Sequence, residues 1–225
     1  LTTLGRLIAI GDIHGHSLAL KRLVEVIQPT ERDTLVMLGD YVDRGPDSRG
    51  VIETLIELEH RCQLVPILGN HEELMLASRT SLHSENCWRH DGGDATLASY
   101  GDDLSLANIP DAHWEFLERC HSSYETEDHI FVHANYCWNL SLERQSFWVL
   151  RWVSIEDSPP EHHISDRTVI LGHSPGPIRD LGFCRCIDTG CGFGGVLTAM
   201  DVRTKQCWQV SEQGDLLCKT SAERC

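Results

Sequence analysis

Short apolar runs along this chain end repeatedly in a glycine followed by a polar cluster. Leu7 to Ile10 runs into GDIHG at Gly11 to Gly15, Leu35 to Leu38 into GDYVDRG at Gly39 to Gly45, and Leu64 to Leu68 into GNHE at Gly69 to Glu72. Runs this short, apolar throughout and closed by glycine, predict strands buried on both faces. Between them the period becomes helical. Leu20, Leu23, Val24 and Ile27 follow Ser17 at helical spacing and stop before Pro29. Val51, Ile52, Leu55, Ile56 and Leu58 form a broad apolar face that Asp47 or Ser48 can cap. A third helix is expected from about His71, carrying Leu74, Met75 and Leu76. The first half therefore reads βαβαβ, with parallel neighbouring strands whose following loops gather at one sheet edge. Pro66 has no N–H for a ladder, so the third strand is expected at an edge or locally irregular.

From about Ser78 to Tyr124 the pattern is mainly helical, with helices expected at Ala95 to Tyr100 and Ala112 to Cys120, and this stretch reads as an inserted cap. Strand signals return at Ile130 to Val132, Val169 to Leu171, Val196 to Met200 and Cys207 to Val210, ending in a hairpin. Two of these runs also end in a polar cluster, His133 in VHAN and His173 in LGHSP. SPPEHH at Ser158 to His163 reads as an exposed loop, and Asp188 in IDTG as a turn residue. The paired glycines of HDGGDATLASYG, from His90 to Gly101, read as a helix start, with an anion nest as the alternative. The other nine histidines, His16 and His163 among them, have no ligand pattern around them and read as surface or structural.

Composition narrows the class. At 225 residues and 25.3 kDa the chain reads as one α/β domain, residues 1–225, with the cap at about 78–124. Hydrophobic residues at 41% and charged residues at 24% fit a globular protein and exclude a fibrous or disordered one. No apolar run is long enough to span a bilayer and Leu7 to Ile10 lacks a signal-peptide layout, so a cytoplasmic monomer with no membrane partner is expected. The net charge of −15 argues against nucleic acid as a partner. An anionic substrate would need cations concentrated at its site. Ten cysteines without a CxxC pair, spread from Cys62 to Cys225, read as buried or incidental thiols; Cys184, Cys186 and Cys191 are the candidates for redox regulation.

The polar clusters supply those cations. Aspartates, an asparagine and histidines at strand ends form an oxygen and nitrogen donor set suited to Mn, Fe, Zn, Ni or Mg, with Mn foremost. Six ligands exceed one open site and fit two divalent ions. Asp12, His14 and Asp40 are assigned to the first, and Asp40, Asn70, His133 and His173 to the second, with Asp40 as the bridge. A hydroxide held between such ions is a nucleophile for in-line displacement at phosphorus. His71, next to the ligand Asn70, can protonate the leaving oxygen, and Asp43 can orient its ring. Arg44 can clamp phosphate oxygens, with Asn70 beside it. Arg151, in WVLRWV, is a second candidate clamp, with packing among tryptophans as the alternative.

GDxHG, GDxxDRG and GNHE in this order, followed by two later histidines, resemble the metal-dependent phosphoprotein phosphatase family, within the calcineurin-like metallophosphoesterases. The likeness runs from about Arg6 to Val202, is strongest before Glu73, and is closest to small bacterial and phage serine/threonine phosphatases and to relatives that hydrolyse diadenosine tetraphosphate. It implies a sandwich of two mixed β-sheets flanked by helices, with the dimetal site at one sheet edge. It also implies the ligand, acid and clamp roles above, the second arginine falling on Arg151. A tryptophan often found two residues before that arginine is Val149 here, with Trp148 and Trp152 flanking, and the usual GHT reads GHS. The expected activity is a phosphomonoesterase acting on a phosphorylated protein or a small phosphate ester. Symmetrical cleavage of dinucleoside polyphosphates is the alternative and would need a nucleobase pocket, for which Trp88, Trp114 and Tyr100 are available in the cap. An inactive phosphate-binding module would lack a ligand or the acid, and none is missing.

Overall fold

β1 (Leu7–Ile10), β2 (Thr34–Met37) and β3 (Gln63–Pro66) lie side by side and parallel, joined through α1 (Ser17–Ile27) and α2 (Ser48–Leu58). The computed structural model describes residues 5–220, so Cys225 lies outside the described residues. Alternation along the strands decides what each face covers. Ile8, Ile10, Leu35 and Met37 pack under Leu20, Leu23, Val51 and Leu55 of the two helices, whereas Leu7, Ala9, Val36 and Leu38 face the other way. Both helices end as read from sequence: Gln28 adopts the left-handed conformation after α1, and the Asp47 carboxylate accepts from Gly50 N–H at the start of α2. Pro66 does sit on an edge strand, where its carbonyl takes the His121 N–H at 2.8 Å.

The first sheet is completed by β9 (Val196–Asp201), β10 (Cys207–Ser211) and β11 (Leu216–Thr220), in the order β11-β10-β9-β1-β2-β3. β9 runs antiparallel to β1, so the sheet is mixed. A second mixed sheet has the order β4-β5-β6-β8-β7, built from β4 (Tyr124–Glu125), β5 (His129–Phe131), β6 (Thr168–Leu171), β7 (Arg179–Asp180) and β8 (Cys184–Cys186). Phe131, Ile170 and Ile187 meet Leu7, Ala9, Val36 and Leu38 in a dry layer between the sheets. The outer face of the second sheet carries Ile130, Val132, Val169 and Leu171 against Leu150 of α7 (Phe147–Trp152). The result is the α/β sandwich of two mixed sheets expected from the resemblance.

Between α3 (Asn70–Ser78) and β4 lie α4 (Leu82–Trp88), a π-turn at Arg89–Gly93, α5 (Asp94–Tyr100) and α6 (Asp111–Glu118). Trp88, Leu97, Trp114, Phe116 and Leu117 from this stretch join the core formed by α1 and α2. SPPEHH is mostly exposed as expected, but His163 is buried, its ring bonded to Ser165 Oγ and Leu140 O. Cys62, Cys184, Cys186 and Cys191 are buried free thiols. Among the described residues, no helix is long and apolar enough to cross a membrane.

Candidate active site

Backbone hydrogen bonds zip the loops after β1 and β2 together at the carboxyl edge of the first sheet. Ile13 and His14 N–H both donate to Asp40 O, Gly15 N–H to Tyr41 O, and Gly45 N–H to His14 O. The loop after β3 is tied in by Glu72, whose buried carboxylate accepts from Gly69, Asp40, Tyr41 and Val42 N–H at 2.7 to 3.2 Å. Burial and then Asp40 push this carboxyl up to about 8, while its backbone donors pull the other way. Sequence reasoning gave Glu72 no role. Its signal was a charged residue in a motif whose other members all had one.

His14, Asp40, Asp43, Arg44 and His173 all have positive φ, between 45° and 73°. Such backbone is costly for residues other than glycine, and its concentration here marks a site rather than a set of ordinary turns. Gly39, at φ +108°, stands where a Cβ would lie 2.6 Å from His133 Nδ1. Only glycine lets that ring approach.

His133 Nδ1–H donates to Leu38 O at 2.8 Å and His173 Nε2–H to Trp152 O at 3.2 Å, which leaves the inner nitrogens as acceptors. These inner nitrogens are 3.2 Å apart and lie 3.0 and 3.1 Å from Asn70 Oδ1. Asp40 Oδ1 is 3.3 Å from His133 Nε2, while its Oδ2 is 3.6 Å from His14 Nε2. Burial brings His133 down to about 4 and His14 to about 3, and also lowers His173, so all three rings are neutral at pH 7. Lone pairs that face one another without a proton between them repel, and a cation relieves that repulsion. The donors fit a divalent ion on each side of Asp40, and the outer N–H contacts to carbonyls are the partners that ligating histidines commonly have.

Asp12, in the loop after β1, reaches across to the second sheet's edge, where it accepts His173 N–H at 3.0 and 3.2 Å. Burial, then Asp188 and Asp40, raises its pKa well above the carboxylate range. Asp188 does hold its turn, taking Gly190 N–H at 2.9 Å, but it is also buried and pushed up to about 6, chiefly by that burial. Three buried carboxylates in one place again call for positive charge. Burial would raise Asp40 too, but the surrounding histidines, His133 foremost, outweigh it and hold Asp40 below the usual range.

His71 and Asp43 meet as read from sequence, with Nδ1 at 2.7 Å from Oδ2. Burial alone would lower His71, but Asp40 and the Asp43 hydrogen bond lift it to about 9. Asp43 itself is held from α4 and α5. Trp88 Nε1–H donates to its carboxylate at 3.0 and 3.1 Å and Thr96 Oγ1–H at 2.7 Å. Sequence reasoning missed both partners. Trp88, Trp114 and Tyr100, the aromatic residues available to a nucleobase, are all buried, so they form core and support instead.

Arg44 is exposed at the rim, with Nη1 2.6 Å from His14 Nε2 and its guanidinium 4.3 Å over the Phe193 ring. Arg151 lies near the site but is committed. Its Nη1 donates to Glu73 Oε1 at 2.9 Å and its Nη2 to Ser122 Oγ at 2.8 Å, and its buried Nε has no partner. On the same helix Trp148 stacks on Trp152 at 5.4 Å, and Phe147 and Trp148 are exposed.

A mixed-sheet sandwich with aspartate, asparagine and histidine donors on its edge loops defines a phosphoesterase. The chain belongs to the calcineurin-like phosphoesterase family, whose pattern matches residues 5–191. It is 32% identical over 212 residues to serine/threonine-protein phosphatase 1 of Salmonella typhimurium, covering 84% of this chain and 88% of that protein. It is 29% identical over 219 residues to the asymmetrical bis(5'-nucleosyl)-tetraphosphatase PrpE of Anoxybacillus flavithermus, covering 85% and 88%. A solved structure provisionally assigned as a diadenosine tetraphosphatase shares the fold with TM-score 0.71 at 22% identity, over 93% of this chain and 95% of that one.

Proposed function

We propose that this phosphoesterase hydrolyses phosphate monoesters on serine or threonine side chains, with phosphotyrosine as a further substrate. The observation that carries this reading is the burial of Trp88, Tyr100 and Trp114, which leaves the cap without a nucleobase pocket built from them. Asp12, His14 and Asp40 would hold one divalent ion, and Asp40, Asn70, His133 and His173 a second, with manganese foremost. When bound, the two ions would lower the pKa of water and offset charge on the phosphoryl oxygens. The protein's own groups supply the rest. His71 gives its Nε2 proton to the leaving serine or threonine oxygen, and Asp43 keeps the ring in that tautomer through Nδ1. Arg44 swings from His14 to fork onto phosphate oxygens.

Dinucleoside tetraphosphate hydrolysis is the second reading. It is favoured by the exposed Trp148 ring, stacked on the half-buried Trp152 whose carbonyl receives His173, a surface on which a base can lie. One activity panel separates the two. Manganese-loaded protein is expected to release phosphate from phosphoserine and phosphothreonine peptides and to leave diadenosine tetraphosphate intact. ADP or ATP as the main product from that dinucleotide, with inert phosphopeptides, would reverse the assignment.

A further inference from the structure

His16, Cys191 and Glu212 are far apart in sequence and meet next to the loop that carries His14. His16 precedes α1, Cys191 lies in the TGCGFGG turn between β8 and β9, and Glu212 opens the turn between β10 and β11. One nitrogen, one sulfur and one carboxylate oxygen from these residues all lie within 4.8 Å of one another. The cluster is not knit together by its own hydrogen bonds. His16 Nε2 is 3.8 Å from Glu212 Oε1, too far for a direct bond. Glu212 Oε1 is instead positioned by Gly192 and Gly194 N–H, each at 2.8 Å. Cys191 is buried, with Sγ 3.4 Å from Ile13 O. The His16 and Glu212 side chains are only 13% and 15% exposed, so neither is a free surface group.

We propose that His16, Cys191 and Glu212 form a third cation site, separate from the Asp40 centre and suited to zinc-like ions, with water as the remaining ligand. Nitrogen, thiolate and carboxylate together match the donor preferences of zinc, whereas the oxygen-rich Asp40 centre contains no sulfur. Ligand atoms on tetrahedral zinc stand roughly 3.3–3.8 Å apart, given bonds of about 2.0–2.3 Å. The three donors therefore need to draw in by about 1.5 Å at most. On binding, the Cys191 S–H bond breaks, a sulfur–metal bond forms and the proton leaves to solvent. Uptake releases one proton per ion and strengthens as pH rises.

The site bears on the phosphate side of the molecule through the turn it would fasten. Gly192, at φ +92°, packs so closely that a Cβ there would lie 2.6 Å from His14 Cβ. Phe193 places its ring edge-on to His14 at 5.9 Å and under the Arg44 guanidinium. An ion held by Cys191 and Glu212 would pin this turn from two strand connections at once.

Cobalt titration of the metal-stripped full chain tests the proposal. Cobalt is expected to bind with a near-ultraviolet thiolate-to-cobalt charge-transfer band, which oxygen and nitrogen ligands cannot produce. Cys191→Ser and His16→Gln should each abolish the band and remove one equivalent of metal while leaving the rest of the load. His16→Gln keeps the test valid where the cysteine variant does not fold. A band that survives in Cys191→Ser, or no band at saturating cobalt in the unaltered chain, overturns the site. Because the signal needs sulfur, it is independent of how many ions the Asp40 centre takes.

Discussion

A buried histidine ordinarily loses its proton, and His71 keeps its own because two carboxylates face it. Burial lowers its pKa, but Asp40 and Asp43 together raise it to about 9. A general acid works only while protonated, so the proposed reaction should hold through neutral pH and fail as pH rises through the His71 value. Asp43→Asn removes one of the two raising partners. In a kcat profile its alkaline limb should move to lower pH; an unmoved limb would remove Asp43 from the proton's surroundings. His71→Asn should lower kcat by about 10²–10⁴-fold on alkyl phosphates, and far less on esters with activated leaving groups, with metal content unchanged. Equal losses on both substrate types would rule out the acid role. Asp43 and His71 were legible in the sequence because their chemistry is carried by side-chain type and spacing. Glu72, Trp88 and Thr96 were not, because each acts through an N–H or O–H contact that exists only once distant loops have met.

At the level of elements, the loops are as strained as they are because helices hold them. α4 and α5 deliver Trp88 and Thr96 to Asp43, and α3 delivers His71 N–H to Asp40 Oδ1 at 3.2 Å. Trp88→Phe keeps an aromatic ring in the core and removes one donor from a buried carboxylate, a change worth roughly 1–3 kcal/mol of stability. Its kcat should fall with KM and metal load unchanged, measured alongside a thermal melt. A melt shift with full kcat would make Trp88 core and nothing more. The βαβαβ half was readable because its apolar runs are long enough to show a period. α4, with Trp88 its one buried residue, shows none. β5 and β6 of the second sheet were readable as apolar runs, but β7 and β4 are two residues each and β8 is the polar-centred triplet Cys184–Cys186, so their joining into a second sheet could be expected only by resemblance.

Across the whole molecule, the end of the first sheet opposite the site is closed by a clasp. Arg6 leads into β1 and donates its backbone N–H, Nε and Nη2 to the Asp33 carboxylate, while Nη1 and Nη2 reach Ile27 O and Gln28 O at the end of α1. Burial would raise Asp33, but Arg6 and the Thr30 N–H hold it well below the carboxylate range. A depressed folded value stabilises the protein above the unfolded value, about 4, and the gain is lost as pH falls through the folded one. Asp33→Asn should therefore destabilise the protein at pH 7 by roughly 1 kcal/mol after solvent screening, read as a lower melting temperature. The gap to the unaltered protein should narrow below pH ~4; a constant gap would mean that the clasp is steric. At the other end of that sheet, the helical stretch between α3 and β4 supplies the Trp88 indole that donates to Asp43, the partner of the proposed acid His71. Exchanging residues 78–124 for a foreign sequence would thus exchange the donors that hold Asp43 as well, and a chimera lacking an indole and a hydroxyl at those two places would keep its metal donors while losing the setting of its proposed proton donor.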